Sequence, residues 1–144
     1  MKTHFFNNWI AKTFLFPNYA AITLFALSFY RLPESRVSKR CVNHESIHQR
    51  QQLECMIIGA VLGVILGFVI NWSWWLLLLP FTFFYIWYLT EWFISLFFNF
   101  FNNTETYHTL AFEEEAYEFD DDLTYLDKRK PFAMVKFLGH LRYK

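Results

Sequence analysis

The stretch that decides the fold is residues 43–70, "NHESIHQRQQLECMIIGAVLGVILGFVI". Its first half is polar and carries two histidines, and from Cys55 to Thr90 the chain has no charged residue. That uncharged run is long enough for two membrane crossings joined by a tight turn. No proline occurs between Asn43 and Pro80, so we predict one helix over 43–70 with Asn43 as its N-cap. The apolar half of this helix would be roughly 24 Å long.

A second crossing is predicted over residues 74–101, which makes the core of the fold a transmembrane helical hairpin. Tryptophans fall where interfacial belts are expected, at Trp72, Trp74 and Trp75 near the turn and at Trp87 and Trp92 near the other end. The predicted fold class is therefore an all-α membrane protein, in which the hairpin carries the histidine helix and a second polar helix follows it.

The remaining segments complete a single domain over residues 1–144. Residues 1–42 are predicted to lie at the membrane interface, and within them residues 19–31, "YAAITLFALSFYR", are short for a crossing and rich in β-forming residues. We predict a short strand or a re-entrant segment there, and a third crossing over 13–30 is the alternative. Residues 104–127 are predicted to form a polar helix capped by Thr104, and the tail from Pro131 an amphipathic helix on the membrane surface.

Composition and charge placement restrict the partners. The chain is 55% hydrophobic and 23% aromatic with no net charge, so it lacks the basic surface that nucleic-acid binding requires and should partner the lipid bilayer. Basic residues flank the predicted hairpin and are absent from its turn, which favours a cytoplasmic location for both hairpin ends. They are Arg31, Arg36, Lys39, Arg40 and Arg50 on one side and Lys128, Arg129 and Lys130 on the other.

The sequence "HESIH" places His44 and His48 one turn apart on one helix face, where two imidazoles can bind the same metal ion. Glu45 lies beside them and is suited to take a proton from a water that the metal activates. A third ligand should come from a later helix, and the acidic segment "LAFEEEAYEFD" provides candidates for it.

HExxH followed by FExxA on a later helix resembles the gluzincin-type integral-membrane zinc metallopeptidases, in particular the CAAX prenyl protease and HtpX-like group. The resemblance implies one Zn²⁺ held by His44, His48 and Glu113, with Glu45 as the catalytic base and a peptide or membrane protein as substrate. Ala116 matches the small position of that pattern, whereas Tyr117 stands where the family has an aspartate.

The chain more closely resembles a set of small bacterial membrane proteins with the patterns NHExIHxRQQxE and FExEAY, for which the pattern itself implies no activity. This resemblance covers most of residues 20–138. It implies a location in the bacterial inner membrane, and the flanking basic residues favour a metal site on the cytoplasmic side.

Several further residues are candidates for roles around the metal. Glu91 is the one charge between Glu54 and Glu105, and it could fix the tautomer of a ligand histidine or extend to the interface. Glu115 shares a helix with Glu113 and is a second carboxylate candidate. His108 could stabilise an oxyanion during hydrolysis, with Tyr107 and Tyr117 as alternatives.

A glycine stripe, Gly59, Gly63 and Gly67, continues the histidine face of the helix into its apolar half. Small residues every four positions allow a second helix to approach closely in a membrane. We expect the partner to be the helix that contains Glu91, and a homodimer through the stripe is the alternative.

Two functions from other classes remain open. "ESIH" and "ETYH" are both ExxH motifs, and two such motifs with extra carboxylates build di-iron oxidase sites in helical bundles. The extra carboxylates would come from Glu54, Glu91, Glu113 and Glu115. The second possibility is a non-catalytic membrane protein that holds a metal or binds a partner.

Overall fold

The computed structural model of the chain describes residues 3–15, 19–98, 107 and 109–142, with side chains up to residue 138. The described part is mostly helical and has one small sheet. In chain order the elements are β1 (His4–Phe5), α1 (Trp9–Phe14), β2 (Ala21–Leu24), β3 (Leu27–Tyr30), α2 (Lys39–Ile70), α3 (Leu79–Phe98), α4 (Ala111–Phe119) and α5 (Tyr125–Lys128), with 3₁₀ turns at Glu34–Arg36, Trp74–Leu78 and Ala133–Arg142.

Helix α2 starts four residues earlier than predicted. Its N-cap is Ser38, whose hydroxyl accepts a hydrogen bond from the Cys41 N–H at 3.1 Å. The prediction that Asn43 caps this helix is wrong. The Asn43 amide instead donates to carbonyl groups at the end of α4, those of Phe119, Asp120 and Asp122. This residue therefore joins the two helices that carry the predicted metal ligands.

Helices α2 and α3 form an antiparallel pair that closes around the glycine stripe. A methyl group built at Gly59 would lie 2.5 Å from the carbonyl oxygen of Leu79, and one at Gly67 would lie 2.8 Å from the Trp72 ring. The glycines are buried against residues 72–80 of their own chain. The stripe thus serves the intramolecular contact between α2 and residues 72–80.

Two helical segments, Lys39–Ile70 and Trp74–Phe98, are long and apolar enough to cross a membrane. Only 28% and 11% of their most apolar windows are buried within the protein. The rest of this surface consists of exposed apolar side chains, such as Phe68 and Trp74, which are 77% and 76% exposed. A core helix of a soluble protein would bury them, whereas a bilayer accommodates them directly. The part of the second crossing predicted over 99–101 lies outside the described residues.

Residues 19–31 contain a β-hairpin, as the strand prediction required. β2 pairs antiparallel with β3, and β1 pairs parallel with the other edge of β3, so the sheet order is β1-β3-β2. The fold is helical apart from this sheet, whose β2 and β3 lie in the short β element predicted at residues 19–31 and whose β1 was not predicted. The alternative of a third crossing over 13–30 is wrong, because residues 21–24 and 27–30 of this segment pair as strands. The sheet packs along the polar half of α2, where Gln49 donates to the Ser28 hydroxyl at 2.7 Å.

The C-terminal region differs from its prediction in two respects. The helix expected over 104–127 is interrupted, because the chain turns after Phe119 before α5 begins; its predicted cap, Thr104, lies outside the described residues. The tail is a 3₁₀ helix, and its Met134 packs in the core with Cys55, Phe84 and Phe112. The apolar side of the tail therefore covers protein, where a contact with the membrane surface was predicted.

Candidate metal centre

Helix α4 brings Glu113 to the two histidines of α2. The Nε2 atoms of His44 and His48 lie 3.2 Å apart, and Glu113 Oε2 lies 3.7 Å and 3.4 Å from them. Ligand atoms around a tetrahedral zinc ion, with bonds of roughly 2.0–2.1 Å, are separated by about 3.3 Å. The three atoms therefore have the spacing that zinc would impose, and they are the one group of this kind among the described residues.

The Glu113 carboxylate has one oxygen engaged by protein and one directed at the histidines. Tyr88, on α3, donates its hydroxyl hydrogen to Oε1 at 3.1 Å. Oε2 is buried and has no hydrogen-bond partner among the described residues. Burial alone would raise the pKa of this carboxyl, but the two imidazoles outweigh it and hold the pKa well below its usual range. A bound cation would satisfy this buried anionic oxygen, which lacks a hydrogen-bond donor among the described residues.

A hydrogen-bond chain fixes which nitrogen of His48 is free. Gln51 uses its amide Nε2 to donate to the Phe112 carbonyl and to Glu115 Oε2, each at 3.0 Å. Its Oε1 is thereby left to face His48 Nδ1 at 2.8 Å, and an oxygen can only accept. When His48 is neutral, as metal binding requires, its one hydrogen is then on Nδ1, which leaves the Nε2 lone pair for a metal.

The same chain continues to a buried ion cluster. Arg129 donates to Glu115 and, through both terminal nitrogens, to the two carboxylate oxygens of Glu54. All three side chains are less than a tenth exposed. Burial lowers the pKa of the Arg129 guanidinium, but the two carboxylates raise it overall, so it stays charged. Glu115 thus contacts this arginine, Tyr125 and Gln51, away from the three metal-facing atoms.

His44 is held by the end of α4. Its Nδ1 lies 3.7 Å from Asp120 Oδ2, and the other Asp120 oxygen pairs with Arg40 at 2.9 Å. The Tyr117 ring packs on the imidazole with 4.7 Å between ring centroids. The resemblance placed an aspartate at position 117, and in this chain Asp120, three residues later, is the acidic group that faces the first histidine.

Glu45 lies beside the two histidines and contacts the sheet. Its Oε2 accepts a hydrogen bond of 2.7 Å from the Thr23 hydroxyl of β2, which in turn lies 2.7 Å from the Ser28 hydroxyl. The Glu45 side chain is 7% exposed and borders the same cavity as the histidines. A threonine hydroxyl therefore fixes this carboxylate at the cavity wall.

The cavity has a volume of about 400 Å³ and lies between β2, α2 and α3. Its polar end is formed by His44, Glu45, His48 and Glu113. The walls are largely apolar or aromatic: Phe14, Leu15, Tyr19, Ala21, Ile22, Leu24, Phe84, Tyr85, Tyr88 and Tyr107. No lysine or arginine is among the described residues that line it. Such a site favours an uncharged or apolar ligand next to the metal-binding residues.

Glu91 and His108 were also predicted to act near the metal. Glu91 is 4% exposed, and its carboxylate lies beside Trp87 and the Ala111 backbone, away from the histidines. His48 receives from Gln51 the contact that was expected from Glu91. His108 lies outside the described residues, whereas Tyr107, its alternative, lines the cavity.

Sequence reasoning did not assign Thr23, Gln51, Tyr88, Asp120 and Arg129 to the site. Only Gln51 carries a usable signal, because it follows His48 by three residues and so lies on the same helix face. The other four reach the site through tertiary contacts that sequence spacing does not encode.

Comparison of the chain with protein-family models, with curated proteins and with solved structures found no match.

Proposed function

We propose that this protein is an integral-membrane zinc metallopeptidase. The observation that carries the proposal is the triangle of His44 Nε2, His48 Nε2 and Glu113 Oε2, which has zinc-like spacing and opens on the cavity that Glu45 also borders. Two histidines and one glutamate, with a fourth position left for water, form the ligand set of many hydrolytic zinc sites.

One Zn²⁺ bound by these three residues would supply Lewis-acid activation of water and of a peptide carbonyl. Glu45 takes the proton that water loses when its oxygen adds to the carbonyl carbon. Glu45 then gives this proton to the amide nitrogen as the C–N bond breaks, so the products are a carboxylic acid and an amine. The Thr23 hydroxyl holds Glu45 in one orientation throughout.

The remaining cavity residues would orient the substrate. Tyr88 fixes Glu113 through Oε1, and Tyr107, which lines the cavity, is a candidate to stabilise a developing oxyanion. His108 and Tyr117 are the other predicted stabilisers, and variants of all three distinguish them. The apolar walls favour uncharged side chains on either side of the bond that is cleaved.

We also propose where the protein lies in the cell. The exposed apolar surfaces of α2 and α3 support a hairpin that spans the bacterial inner membrane. The basic residues that flank the hairpin favour a cytoplasmic site. The position of the histidines just before the uncharged run favours a depth near the membrane surface. The substrate is then a peptide segment close to the cytoplasmic membrane surface.

The test uses purified full-length protein in vesicles and a quenched fluorescent peptide with apolar residues around the scissile bond. We expect cleavage that a chelator stops and zinc restores. Glu45→Gln should bind zinc as the wild type does and lose nearly all cleavage. Cleavage that survives this substitution contradicts the proposed role of Glu45, and zinc binding without any hydrolysis of a broad peptide set supports the non-catalytic alternative.

The di-iron alternative has less support. It needs several carboxylates around the histidines, but Glu54 and Glu115 pair with Arg129. In the described part of the chain only Glu113 approaches the two histidines closely enough to share a metal with them.

A further inference from the structure

The turn between β2 and β3 has the wrong residues for a hairpin tip in water. Phe25 and Ala26 occupy its two central positions with φ of 51° and 59°. Two-residue hairpin turns of this kind usually take Asn-Gly or Asp-Gly, because those residues tolerate positive φ and their polar groups are solvated. Here both positions are apolar, and Phe25 is 52% exposed.

Side chains of the helices satisfy the backbone of this turn. The N–H groups of its two central residues have no partner within the hairpin, and in an ordinary hairpin water binds them. The Phe25 N–H donates to the Tyr85 hydroxyl at 3.1 Å, and the Ala26 N–H donates to Gln52 Oε1 at 2.7 Å. Gln52 also donates to the Thr23 carbonyl at 2.8 Å. Backbone groups need such internal partners where water is absent.

The contacts of Phe25 place the tip beside the uncharged part of the helical hairpin. Its ring centroid lies 5.5 Å from that of Tyr85 and 6.3 Å from that of Phe81. Phe81 directly follows Pro80, which faces Gly59 in the apolar half of α2. Phe81 is itself 47% exposed, so the ring of Phe25 continues the apolar outer surface of α3.

From these observations we infer that the β2–β3 hairpin tip inserts into the acyl-chain layer of the membrane, with Phe25 in contact with lipid. The inference rests on the membrane-spanning part of the proposed function and is independent of peptidase activity. No residue from Tyr19 to Tyr30 is charged, so nothing in the hairpin opposes insertion. The hairpin then forms one wall of the metal cavity at the depth where the bilayer begins.

The test is the accessibility of a nitroxide label on the full-length protein in vesicles of phosphatidylcholine and phosphatidylglycerol. Phe25→Cys is labelled in a Cys41→Ser, Cys55→Ala background, and its collisions with oxygen and with a water-soluble nickel complex are compared. Oxygen concentrates in the acyl layer and the nickel complex in water. We expect a several-fold higher oxygen-to-nickel ratio at position 25 than at a Glu34→Cys control, which lies in an exposed turn.

A third label, at Phe68→Cys, reports on the helical hairpin itself. If position 68 is in lipid and position 25 is as accessible to nickel as position 34, the inference is overturned while the spanning hairpin stands. If position 68 is also accessible to nickel, the spanning hairpin fails together with the inference. A label at 25 that neither reagent reaches is covered by protein, which also overturns the inference.

A pair of substitutions gives an independent measurement. Phe25→Ala and Phe25→Asp remove the same ring, but only the second adds a charge. An inserted tip predicts a clearly lower unfolding midpoint in vesicles for the aspartate variant than for the alanine variant. A midpoint for the aspartate variant equal to or above that of the alanine variant means that the tip lies in water, where aspartate tolerates the positive φ better than alanine does.

Discussion

Replacing Gln51 by leucine should weaken zinc binding in addition to lowering the stability of the fold. The leucine keeps the helix and nearly the same volume, but it removes the acceptor that holds the Nδ1 hydrogen of His48. The imidazole is then free to place its hydrogen on either nitrogen and to rotate. Loss of such an outer contact to a ligand histidine lowers metal affinity by roughly 10- to 100-fold.

The expected magnitudes follow from the contacts of Gln51. A 10- to 100-fold loss corresponds to about 1.4–2.7 kcal/mol of zinc-binding free energy. The Phe112 carbonyl and Glu115 each lose one donor, which should lower the free energy of unfolding by about 1–3 kcal/mol. Glu115 retains Arg129 and Tyr125, so the ion cluster persists.

The assay is a zinc titration of the purified protein against a chromophoric chelator, with thermal unfolding of the zinc-free protein measured in parallel. Gln49→Leu is the matched control, since this side chain donates to Thr3 and Ser28 and does not contact a histidine. Equal zinc affinities for the wild type and Gln51→Leu would refute the tautomer argument. An equal loss in the Gln49 control would show that the effect is a general loss of stability.

Three further predictions concern the ion cluster, the helix contact and the proposed catalytic base, Glu45. Arg129→Met removes the cation from two buried carboxylates and should lower the free energy of unfolding by about 3–5 kcal/mol. Denaturant unfolding measures this loss. A loss smaller than that of an exposed Lys128→Met control would contradict the buried cluster. Gly59→Val should separate α2 from α3, because even its Cβ would lie 2.5 Å from the Leu79 carbonyl oxygen. We expect the free energy of unfolding to fall by about 1–3 kcal/mol. An unfolding midpoint equal to that of Val61→Ala, at an exposed position, would contradict the close contact. Thr23→Val removes the hydrogen bond to Glu45 and should reduce kcat with zinc affinity unchanged, whereas Thr23→Ser should restore most of the rate; a threefold or greater drop in zinc affinity would instead place Thr23 among the metal-holding contacts.

The helical hairpin could be predicted because its signal is local. The uncharged run, its length and the tryptophans around residues 72–75 need no tertiary information. The three-atom metal group could also be predicted from spacing for His44 and His48, which share a helix face. Glu113 required the resemblance, since nothing in the spacing selects it over the neighbouring glutamates.

The failures have a common physical reason, which is that a polar side chain does not reveal its partner. Asparagine is a favoured N-cap residue, but the Asn43 side-chain amide donates to three carbonyl groups at the end of α4 and just after it. Glu91 and Gln51 are both polar residues that could bond a ligand histidine, and the contacts of the Gln51 amide nitrogen with α4 turn its oxygen towards His48. Similarly, the amphipathic tail pattern does not specify whether Met134 covers lipid or protein.

The most direct test of the account is the metal content of the detergent-purified protein, measured by elemental analysis beside His48→Ala and Glu113→Ala. The account predicts one zinc per chain in the wild type and its loss in both variants, since each removes one of three ligands. Glu115→Gln, on the same helix but directed at Arg129, is the control and should keep its zinc. Two irons per chain, or zinc that neither ligand substitution removes, would contradict the proposed centre.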